Sequence, residues 1–280
     1  MPTPFGRILI LTKARHQQAY ELGCRIQQWL AGRGAQSEIR HNDECDGQLQ
    51  FRGTPPDMIL VLGGDGTMLS VARRLEGHSM PLLGLNLGQV GFLTELSPEA
   101  WKQGLSSILE GSYALSQRIM LNYTLERGGA VCGQGRVVND LVVGRGGMAR
   151  LVALQLWCGG VDLGTMRADG LVVSTPQGAT AYAVAAGGPL ISPELKVVEI
   201  CAVCPFLSHF RPLVLPSEER IEIEVGQASG DVYLTLDGQS GRELRIGDRI
   251  SIEEAERPLL FIQPSDSHYI QKLKTKGYIS

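Results

Sequence analysis

A glycine-rich loop with a single carboxylate follows the apolar run 58–62, which has the length of a buried strand. The loop reads Gly63-Gly64-Asp65-Gly66-Thr67, and apolar residues at helical spacing follow it at once. Glycines let a backbone approach a ligand closely, and a helix start offers free N–H groups and a positive dipole end to phosphate. A negative side chain is unfavourable in a phosphate-binding loop unless it has a task of its own. Asp65 is therefore the first candidate for a catalytic residue.

The loop does not match the two commonest nucleotide-binding motifs. It lacks the Gly-Lys-Ser/Thr ending of a Walker loop and the spacing of the Gly-x-Gly-x-x-Gly dinucleotide fingerprint. The alternative interpretation is a tight strand-to-helix turn in which Asp65 caps the helix. Taken by itself, the loop leaves both interpretations open.

A second unusual segment occupies residues 167–189. An apolar strand leads into the hydroxyls of Ser174 and Thr175, a Pro-Gln-Gly turn and several small residues that leave room for a flat ligand. Tyr182 adds a ring and a hydroxyl. Arg167 and Asp169 place opposite charges before the strand, with side chains on the same face. The alternative is a glycine-rich turn beside a surface ion pair.

The first part of the chain alternates strand-like and helix-like runs. Positions 8–11 and 58–62 form apolar runs of strand length, and apolar residues recur at helical spacing over 19–30. Strands that alternate with helices indicate a parallel sheet covered on both faces, where ligands bind at the carboxyl ends of strands. We predict an α/β N-terminal domain with a Rossmann-like parallel sheet at residues 1–118, carrying the glycine-rich loop.

From about residue 120 the apolar residues recur at every second position. Residues 221–225 and 232–236 alternate strictly, and glycine turns separate the runs. This pattern predicts a mainly antiparallel all-β domain at residues 119–262. The tail at 263–280 carries the pattern of a last short helix, which we expect to pack back on the N-terminal domain.

Composition excludes several classes of function. The chain has 280 residues, a formal net charge of −3 and a pI near 6.0, which gives no support to a nucleic-acid or anionic-membrane partner. No apolar run approaches the roughly 18 residues that span a bilayer, so we expect a cytoplasmic protein without a membrane partner. The histidines and cysteines show no metal-ligand spacing, and no protein metal site is expected.

The two glycine-rich segments together resemble the NAD kinase family, in its short, ATP-dependent, prokaryotic-type form. That family carries Gly-Gly-Asp-Gly-Thr on its N-terminal domain and Asp-Gly…Ser-Thr-Pro-x-Gly-x-Thr-Ala-Tyr on its β-rich domain. This chain has the two motifs at 63–67 and 169–182. Ala179 and Ala185 stand where the family has serine. Further similar segments lie at 84–94, 139–140, 150, 211–216 and 236–239.

The resemblance implies transfer of the γ-phosphoryl group of ATP to the 2′-hydroxyl of the adenosine ribose of NAD, giving NADP. Asp65 would accept a hydrogen bond from that hydroxyl and orient it for in-line attack. Phosphoryl transfer has a loose transition state, so positioning and charge neutralisation matter more than strong base catalysis. Removal of the proton by Asp65 late in the reaction is the secondary hypothesis.

The resemblance also assigns the binding residues. The set expected to bind the phosphates of ATP is Gly63, Gly64, Gly66 and Thr67. The set expected to bind NAD is Asp65, Gly66, Asn139, Asp140, Arg150, Arg167, Asp169, Thr180, Ala181, Tyr182, Ala183, Val184, Ala185 and Gln239. Asn139 can both donate and accept, as an adenine edge requires, and Asp140 suits a ribose diol.

The expected partners are ATP and NAD, with Mg²⁺ or another divalent cation bound to ATP. The resemblance implies a homodimer or homotetramer in which a neighbouring subunit completes the NAD site. Two alternatives stay open. A kinase for a lipid or sugar phosphate would share the glycine-rich loop but not the Thr180-Ala181-Tyr182 run. A non-catalytic dinucleotide-binding regulator would keep the binding residues but would not need Asp65.

Overall fold

The chain forms one mainly parallel sheet and two antiparallel sheets, and the two kinds arise from segments whose apolar residues recur at different spacings. The computed structural model describes residues 4–42, 47–51, 53–75, 78–88, 91–147, 151–206, 210–228, 230–265 and 268–280. One unit comprises Met1–Gln117 together with Leu259–Ser280, and the other comprises Arg118–Pro258. Each unit has its own apolar core.

The elements follow one another in a simple order along the chain. The first are β1 (Arg7–Lys13), α1 (Gln17–Ala31), β2 (Gln36–Asn42), β3 (Met58–Leu62), α2 (Asp65–Arg73), β4 (Leu82–Leu85), α3 (Trp101–Leu109), β5 (Tyr113–Arg118), β6 (Leu121–Arg127) and β7 (Ala130–Val137). Next come β8 (Asp140–Arg145), β9 (Val152–Cys158), β10 (Val161–Ala168), β11 (Gly170–Ser174), a 3₁₀ helix (Pro176–Thr180), α4 (Tyr182–Ala185) and β12 (Val197–Val203). The last are β13 (Leu213–Pro216), β14 (Ile221–Ala228), β15 (Val232–Leu236), β16 (Ser240–Leu244), β17 (Arg249–Glu254), β18 (Leu259–Pro264) and α5 (Tyr269–Thr275).

The first unit is built on a six-stranded sheet in the order β2-β1-β3-β4-β18-β5. β1 pairs in parallel with β2 and β3, and β4 pairs in parallel with β3 and β18. Every residue of β3 and β4 is buried, which requires that both faces of the sheet are covered there. The amphipathic helix α1 contributes Leu22, Ile26 and Leu30 to one side of this core.

The second unit contains two antiparallel sheets of six strands each. The second sheet has the order β10-β9-β14-β17-β6-β7, and the third sheet has the order β13-β12-β11-β8-β15-β16. Alternate residues of both sheets point into one shared core, as Ile221, Ile223 and Val225 do on β14. The period of two that is visible in the sequence is the direct consequence of this one-sided burial.

The third sheet is covered on its second face as well. Ala183 of α4 packs against Val172 of β11 and Cys201 of β12, which explains why all five residues of β11 are buried. The segment that contains the 3₁₀ helix and α4 is therefore fixed on the sheet by an apolar contact. This segment carries the Thr180-Ala181-Tyr182 run.

These sheets confirm the predicted fold class, an α/β domain with a parallel sheet plus a β-rich domain with antiparallel sheets. The predicted second domain extends to residue 262, whereas the second unit ends at Pro258. The difference arises because β18 leaves the β-rich unit and pairs with β4 through Phe261 and Leu82. Within the described part of the chain, no helix has both the length and the apolar character that a membrane span needs.

Candidate functional site

The glycine-rich loop lies at the carboxyl end of β3, where α2 begins. The Gly63 N–H donates to the Leu85 carbonyl at 2.9 Å, which ties the loop to the end of the neighbouring strand β4. A Cβ atom at Gly63 would lie 2.4 Å from the Thr67 hydroxyl oxygen, so the turn requires a glycine there. Gly64 precedes the first residue of α2 and has an extended backbone. The loop thus has the strand–turn–helix geometry that suits a phosphate.

The Asp65 side chain binds a different loop rather than its own helix. Its carboxylate accepts the N–H of Phe92 at 2.8 Å and the N–H of Leu93 at 3.0 Å. The alternative in which Asp65 caps α2 is therefore wrong, and Gly64 is the cap residue, without a side-chain bond. A carboxylate offers about four acceptor positions, and the described residues fill two of them, which leaves room for a hydroxyl or another donor. Asp65 is half-buried.

A second cluster forms in the β-rich unit around the start of β8. The buried carboxylate of Asp237 accepts three successive backbone N–H groups: those of Val138, Asn139 and Asp140, at 3.1, 2.7 and 3.2 Å. The Asp237 N–H donates in return to the Asp140 carbonyl at 2.8 Å. Asp237 thereby fixes the Asn139-Asp140 pair, and it is absent from the predicted binding set. The Asp-Gly turn between β15 and β16 is the sequence signal that could have found it.

The side chain of Asn139 presents an acceptor without a partner. Its Oδ1 is buried and has no hydrogen-bond partner among the described residues. The backbone carbonyl of Asn139, by contrast, accepts from the Thr175 N–H at 2.8 Å and the Ser174 hydroxyl at 3.2 Å. An unpaired buried acceptor is costly, so this oxygen fits a donor supplied by a ligand.

Asp140 is a buried carboxyl, with 4% of its surface exposed. Burial raises the pKa of Asp140 to about 6, with the nearby charge of Asp237 as a second cause. A hydrogen bond from the backbone of Tyr182 opposes the shift. That bond also joins the start of β8 to the first residue of α4.

The remaining predicted residues of this unit fall into two groups. One group lies with Asn139 and Asp140 at one end of the third sheet. It consists of residues on the covering segment, which is the 3₁₀ helix and α4 (176–185) that pack on the third sheet, and of Gln239 in the turn that contains Asp237. The residues on the covering segment are Thr180, Ala181, Tyr182, Ala183, Val184 and Ala185. The covering segment lies so close that a Cβ atom at Gly178 would be 2.3 Å from the Asn139 carbonyl oxygen. Within this group Tyr182 is 44% exposed and thus accessible to a ligand.

The other group consists of Arg167, on β10 of the second sheet, and Asp169, at the opposite end of the third sheet. Ser174 pairs with Asp140 at one end of β11 and Gly170 pairs with Gly144 at the other, next to Asp169. The alternative of an Arg167–Asp169 ion pair is wrong: the Asp169 carboxylate binds the guanidinium of Arg145 at 2.9 and 3.0 Å. The Arg167 guanidinium instead lies 6.0 Å from the Phe206 ring. Arg150, also predicted to bind NAD, lies outside the described residues.

The described residues offer no cage for a metal ion. Among them no three His, Cys, Asp or Glu side chains come close enough together to hold one.

Solved structures of known proteins share this fold. Yeast NADH kinase complexed with NADH aligns with a TM-score of 0.86 at 23% identity, over 100% of this chain and 89% of that chain. An NAD kinase from Archaeoglobus fulgidus in complex with ATP aligns with a TM-score of 0.76 at 24% identity, over 98% and 100% of the two chains. These likenesses show the fold.

Sequence relatives show the family. An NAD kinase of Nitratidesulfovibrio vulgaris strain Miyazaki F is 45% identical over 100% of this chain and 99% of its own length. An NAD kinase of Oleidesulfovibrio alaskensis is 43% identical over 98% of this chain and 93% of its own length. Residues 35–113 match the ATP-NAD kinase N-terminal domain, and residues 138–264 match the ATP-NAD kinase C-terminal domain. The chain therefore belongs to the NAD kinase family.

Proposed function

We propose that this protein is an ATP-dependent NAD kinase, which transfers the γ-phosphoryl group of ATP to the 2′-hydroxyl of the adenosine ribose of NAD. The products are NADP and ADP. The relatives named NAD kinase over the whole length of the chain support this reaction. The observation that carries it in the structure is the Asp65 carboxylate, which stands within the glycine-rich loop at the start of α2 and has acceptor positions that the described residues do not fill.

Asp65 is proposed to orient the ribose hydroxyl. Two hydrogen bonds that its oxygens accept from backbone N–H groups hold the carboxylate in one place, and another lone pair accepts a hydrogen bond from the ribose hydroxyl. Because the transition state of phosphoryl transfer is loose, correct alignment of the nucleophile contributes more than removal of its proton. In this scheme the proton moves to the Asp65 carboxylate as the new O–P bond forms.

The phosphates of MgATP are proposed to bind the glycine-rich loop. Gly63, Gly64, Gly66 and Thr67 would supply backbone N–H groups and one hydroxyl at the start of a helix, where the helix dipole favours negative charge. The magnesium ion enters with the nucleotide and neutralises charge on its phosphates. Gly63 must lack a side chain because Thr67 already fills the space beside it.

The adenosine part of NAD is proposed to bind the cluster at the end of the third sheet. The unpartnered Oδ1 of Asn139 would accept from the adenine amino group, and Asp140 would accept from a ribose hydroxyl. With a pKa of about 6, Asp140 is mostly ionised near neutral pH and can serve as that acceptor. The exposed ring of Tyr182 and the small residues of α4 would line the same ligand, with Gln239 across the turn.

Arg167 and Asp169 are proposed to act in the NAD site of a neighbouring subunit. Asp169 binds Arg145, which lies five residues along β8 from Asp140, or about 17 Å in a strand, and Arg167 precedes Asp169 by two residues. We therefore place them in a homodimer or homotetramer, where one copy supplies these two charges to the site of another. We also propose a cytoplasmic location, where ATP and NAD are both available.

The test is a coupled assay of NADP formation with purified protein, NAD, ATP and Mg²⁺. The wild type is expected to form NADP, and Asp65→Asn is expected to lower kcat on the order of 10² or more with the fold intact. Asp57→Asn is the matched control. Asp57 lies at the other end of β3, just before its first residue, and its carboxylate also accepts a backbone N–H, that of Arg7 at 2.7 Å. A near-normal kcat in folded Asp65→Asn would remove Asp65 from catalysis. Absence of NADP with the wild type would refute the reaction.

A further inference from the structure

The segment that binds Asp65 is fixed from two sides. Phe92 and Leu93, whose N–H groups bind the carboxylate, lie between β4 and α3. Gly91, just before them, approaches so closely that a Cβ atom there would lie 1.9 Å from Asp65 Oδ1. On its other side the segment contacts α5, the last helix of the first unit. The position of the Asp65 carboxylate thus depends on what holds residues 91–95.

A single peptide group connects α5 to Asp65. The peptide between Phe92 and Leu93 donates its N–H to Asp65 Oδ1 at 3.0 Å, and its carbonyl accepts from the Lys272 Nζ at 3.1 Å. Hydrogen bonds in series polarise one another, and a charged donor makes the stronger bond. The Lys272 ammonium therefore strengthens the amide that binds the carboxylate and fixes the plane of that peptide.

Lys272 is itself held in place by a shielded ion pair. Its Nζ lies 2.7 Å from Oε1 of Glu95, and the two side chains are only 16% and 7% exposed. Gln263 on β18 donates to the same oxygen at 3.1 Å. A pair that is shielded from water and hydrogen-bonded on both sides keeps its geometry better than an exposed pair. Lys272 thereby bridges Phe92 and Glu95, the two ends of a tight segment.

We propose that Lys272 is a positioning residue for the Asp65 carboxylate and acts through the Phe92–Leu93 peptide group. The inference rests on the proposed role of Asp65 as the group that orients the ribose hydroxyl. A misplacement of about 1 Å at a reacting group can cost on the order of 10² in rate. Loss of the ammonium should therefore lower kcat and leave the KM values for NAD and ATP close to those of the wild type.

The first experiment compares Lys272→Met with Lys274→Met in the NADP-forming assay. Met keeps much of the length of the side chain and removes the charge, and Lys274 is an exposed lysine on the same helix. Lys272→Met is expected to lower kcat about tenfold or more, with KM changed less than about threefold. Lys274→Met is expected to behave as the wild type. Lys272→Arg, which keeps a charged donor, is expected to recover most of the lost kcat.

The second experiment is a double-mutant cycle with Asp65→Asn. If Lys272 acts through Asp65, Lys272→Met should lower kcat in the wild-type background and have little further effect in the Asp65→Asn background. Equal losses in both backgrounds would overturn the proposal, as would a normal kcat in Lys272→Met. If Lys272→Met does not fold, Lys272→Gln replaces it in both experiments, with an intermediate loss expected.

The outcomes separate this inference from the proposed function. If Asp65→Asn is impaired and folded Lys272→Met is not, only the positioning role of Lys272 fails. If Asp65→Asn is as active as the wild type, the role of Asp65 fails and that of Lys272 fails with it. Protection of the Leu93 amide from hydrogen exchange gives a readout without activity. It should fall in Lys272→Met and stay unchanged in Lys274→Met.

Discussion

Asp140 shows how one residue joins binding and stability. Its carboxyl group lies buried at the end of the third sheet, near the charge of Asp237, and both circumstances disfavour the ionised form. A residue chosen only for stability would be neutral at this position. The proposed contact with a ribose hydroxyl explains why an acid is kept there.

The raised pKa of Asp140 gives the unliganded protein a specific pH dependence. The folded carboxyl titrates near pH 6 and the unfolded one near 3.8, so between these values the folded state holds a proton that the unfolded state has lost. Stability therefore falls as the pH rises through this window. We expect Asp140→Asn to gain about 3 kcal/mol in unfolding free energy relative to the wild type between pH 4 and pH 7.

Urea unfolding of both proteins at several pH values, without NAD, measures this difference. Asp231→Asn, which changes an exposed carboxylate on the same unit, controls for the change in net charge. A difference between wild type and Asp140→Asn that stays constant from pH 4 to pH 7 would contradict the assigned burial cost.

At the scale of elements, the turn between β15 and β16 organises the end of the third sheet. Asp237 has a positive φ of 50° and Gly238 one of 64°, and this backbone places the Asp237 carboxylate under three amides at the start of β8. Each of these N–H groups would otherwise be left without an acceptor in a buried place. The turn therefore holds Asn139 and Asp140 in their proposed binding geometry.

Replacing Asp237 should weaken both the fold and NAD binding. Asp237→Ala leaves three amides without their acceptor and puts alanine at a positive φ, so we expect a loss of roughly 3 kcal/mol or more in unfolding free energy. The KM for NAD should rise, because Asn139 and Asp140 lose their support. Asp237→Asn keeps one acceptor oxygen and tolerates the backbone, so it should lie between.

Thermal unfolding and NAD titrations of the initial rate test this expectation. Asp231→Ala is the matched control, since Asp231 is an exposed aspartate directly before the first residue of β15, whereas Asp237 directly follows its last residue. A variant Asp237→Ala with normal melting temperature and normal KM would show that the three hydrogen bonds do not hold the turn.

The same scale shows what could be predicted from the sequence. The apolar run of β3 and the strict alternation of β14 predict their strands, because burial on two faces or on one face leaves a direct pattern. The edge strands β2 and β7 leave none: each has one buried residue, Asn42 and Val137. These strands form by pairing with a neighbouring strand, β1 in the case of β2 and β6 in the case of β7, and burial of their own side chains contributes little.

The candidate site likewise has parts that the sequence predicts and parts that it does not. The motifs 63–67 and 180–182 stand out by their residue types, so the sequence alone is enough to find them. The amides of Phe92 and Leu93 cannot be found in this way, because every residue except proline has a backbone N–H and only the fold decides which one meets Asp65. Lys272 contacts residues about 180 positions earlier, and no local pattern indicates that contact.

At the scale of the whole molecule, the separation of Asp140 and Asp169 has a consequence for assembly. They lie near opposite ends of β8, yet both are proposed to contact NAD. Two copies of the chain can satisfy both contacts if one end of the third sheet meets the other end in a symmetric oligomer. Activity should then depend on subunit association.

Mixing two inactive variants tests this shared site. Asp140→Asn and Asp169→Asn homo-oligomers should each have low activity with NAD. After subunit exchange, half of randomly formed dimers pair one intact Asp140 with one intact Asp169, so about a quarter of all sites should recover. No recovery after verified exchange would place both residues in the site of a single chain. Normal activity of Asp169→Asn would remove that residue from the site.

The first unit consists of two separate stretches of sequence, and this sets the order in which the two units can fold during synthesis. The β-rich unit is continuous, so it can fold as soon as Pro258 has left the ribosome. The six-stranded sheet of the first unit is complete only once β18 has been made, and the Lys272 contact must wait for α5. During translation, the peptide group that binds Asp65 therefore gains its ammonium partner only after the whole β-rich unit has been made.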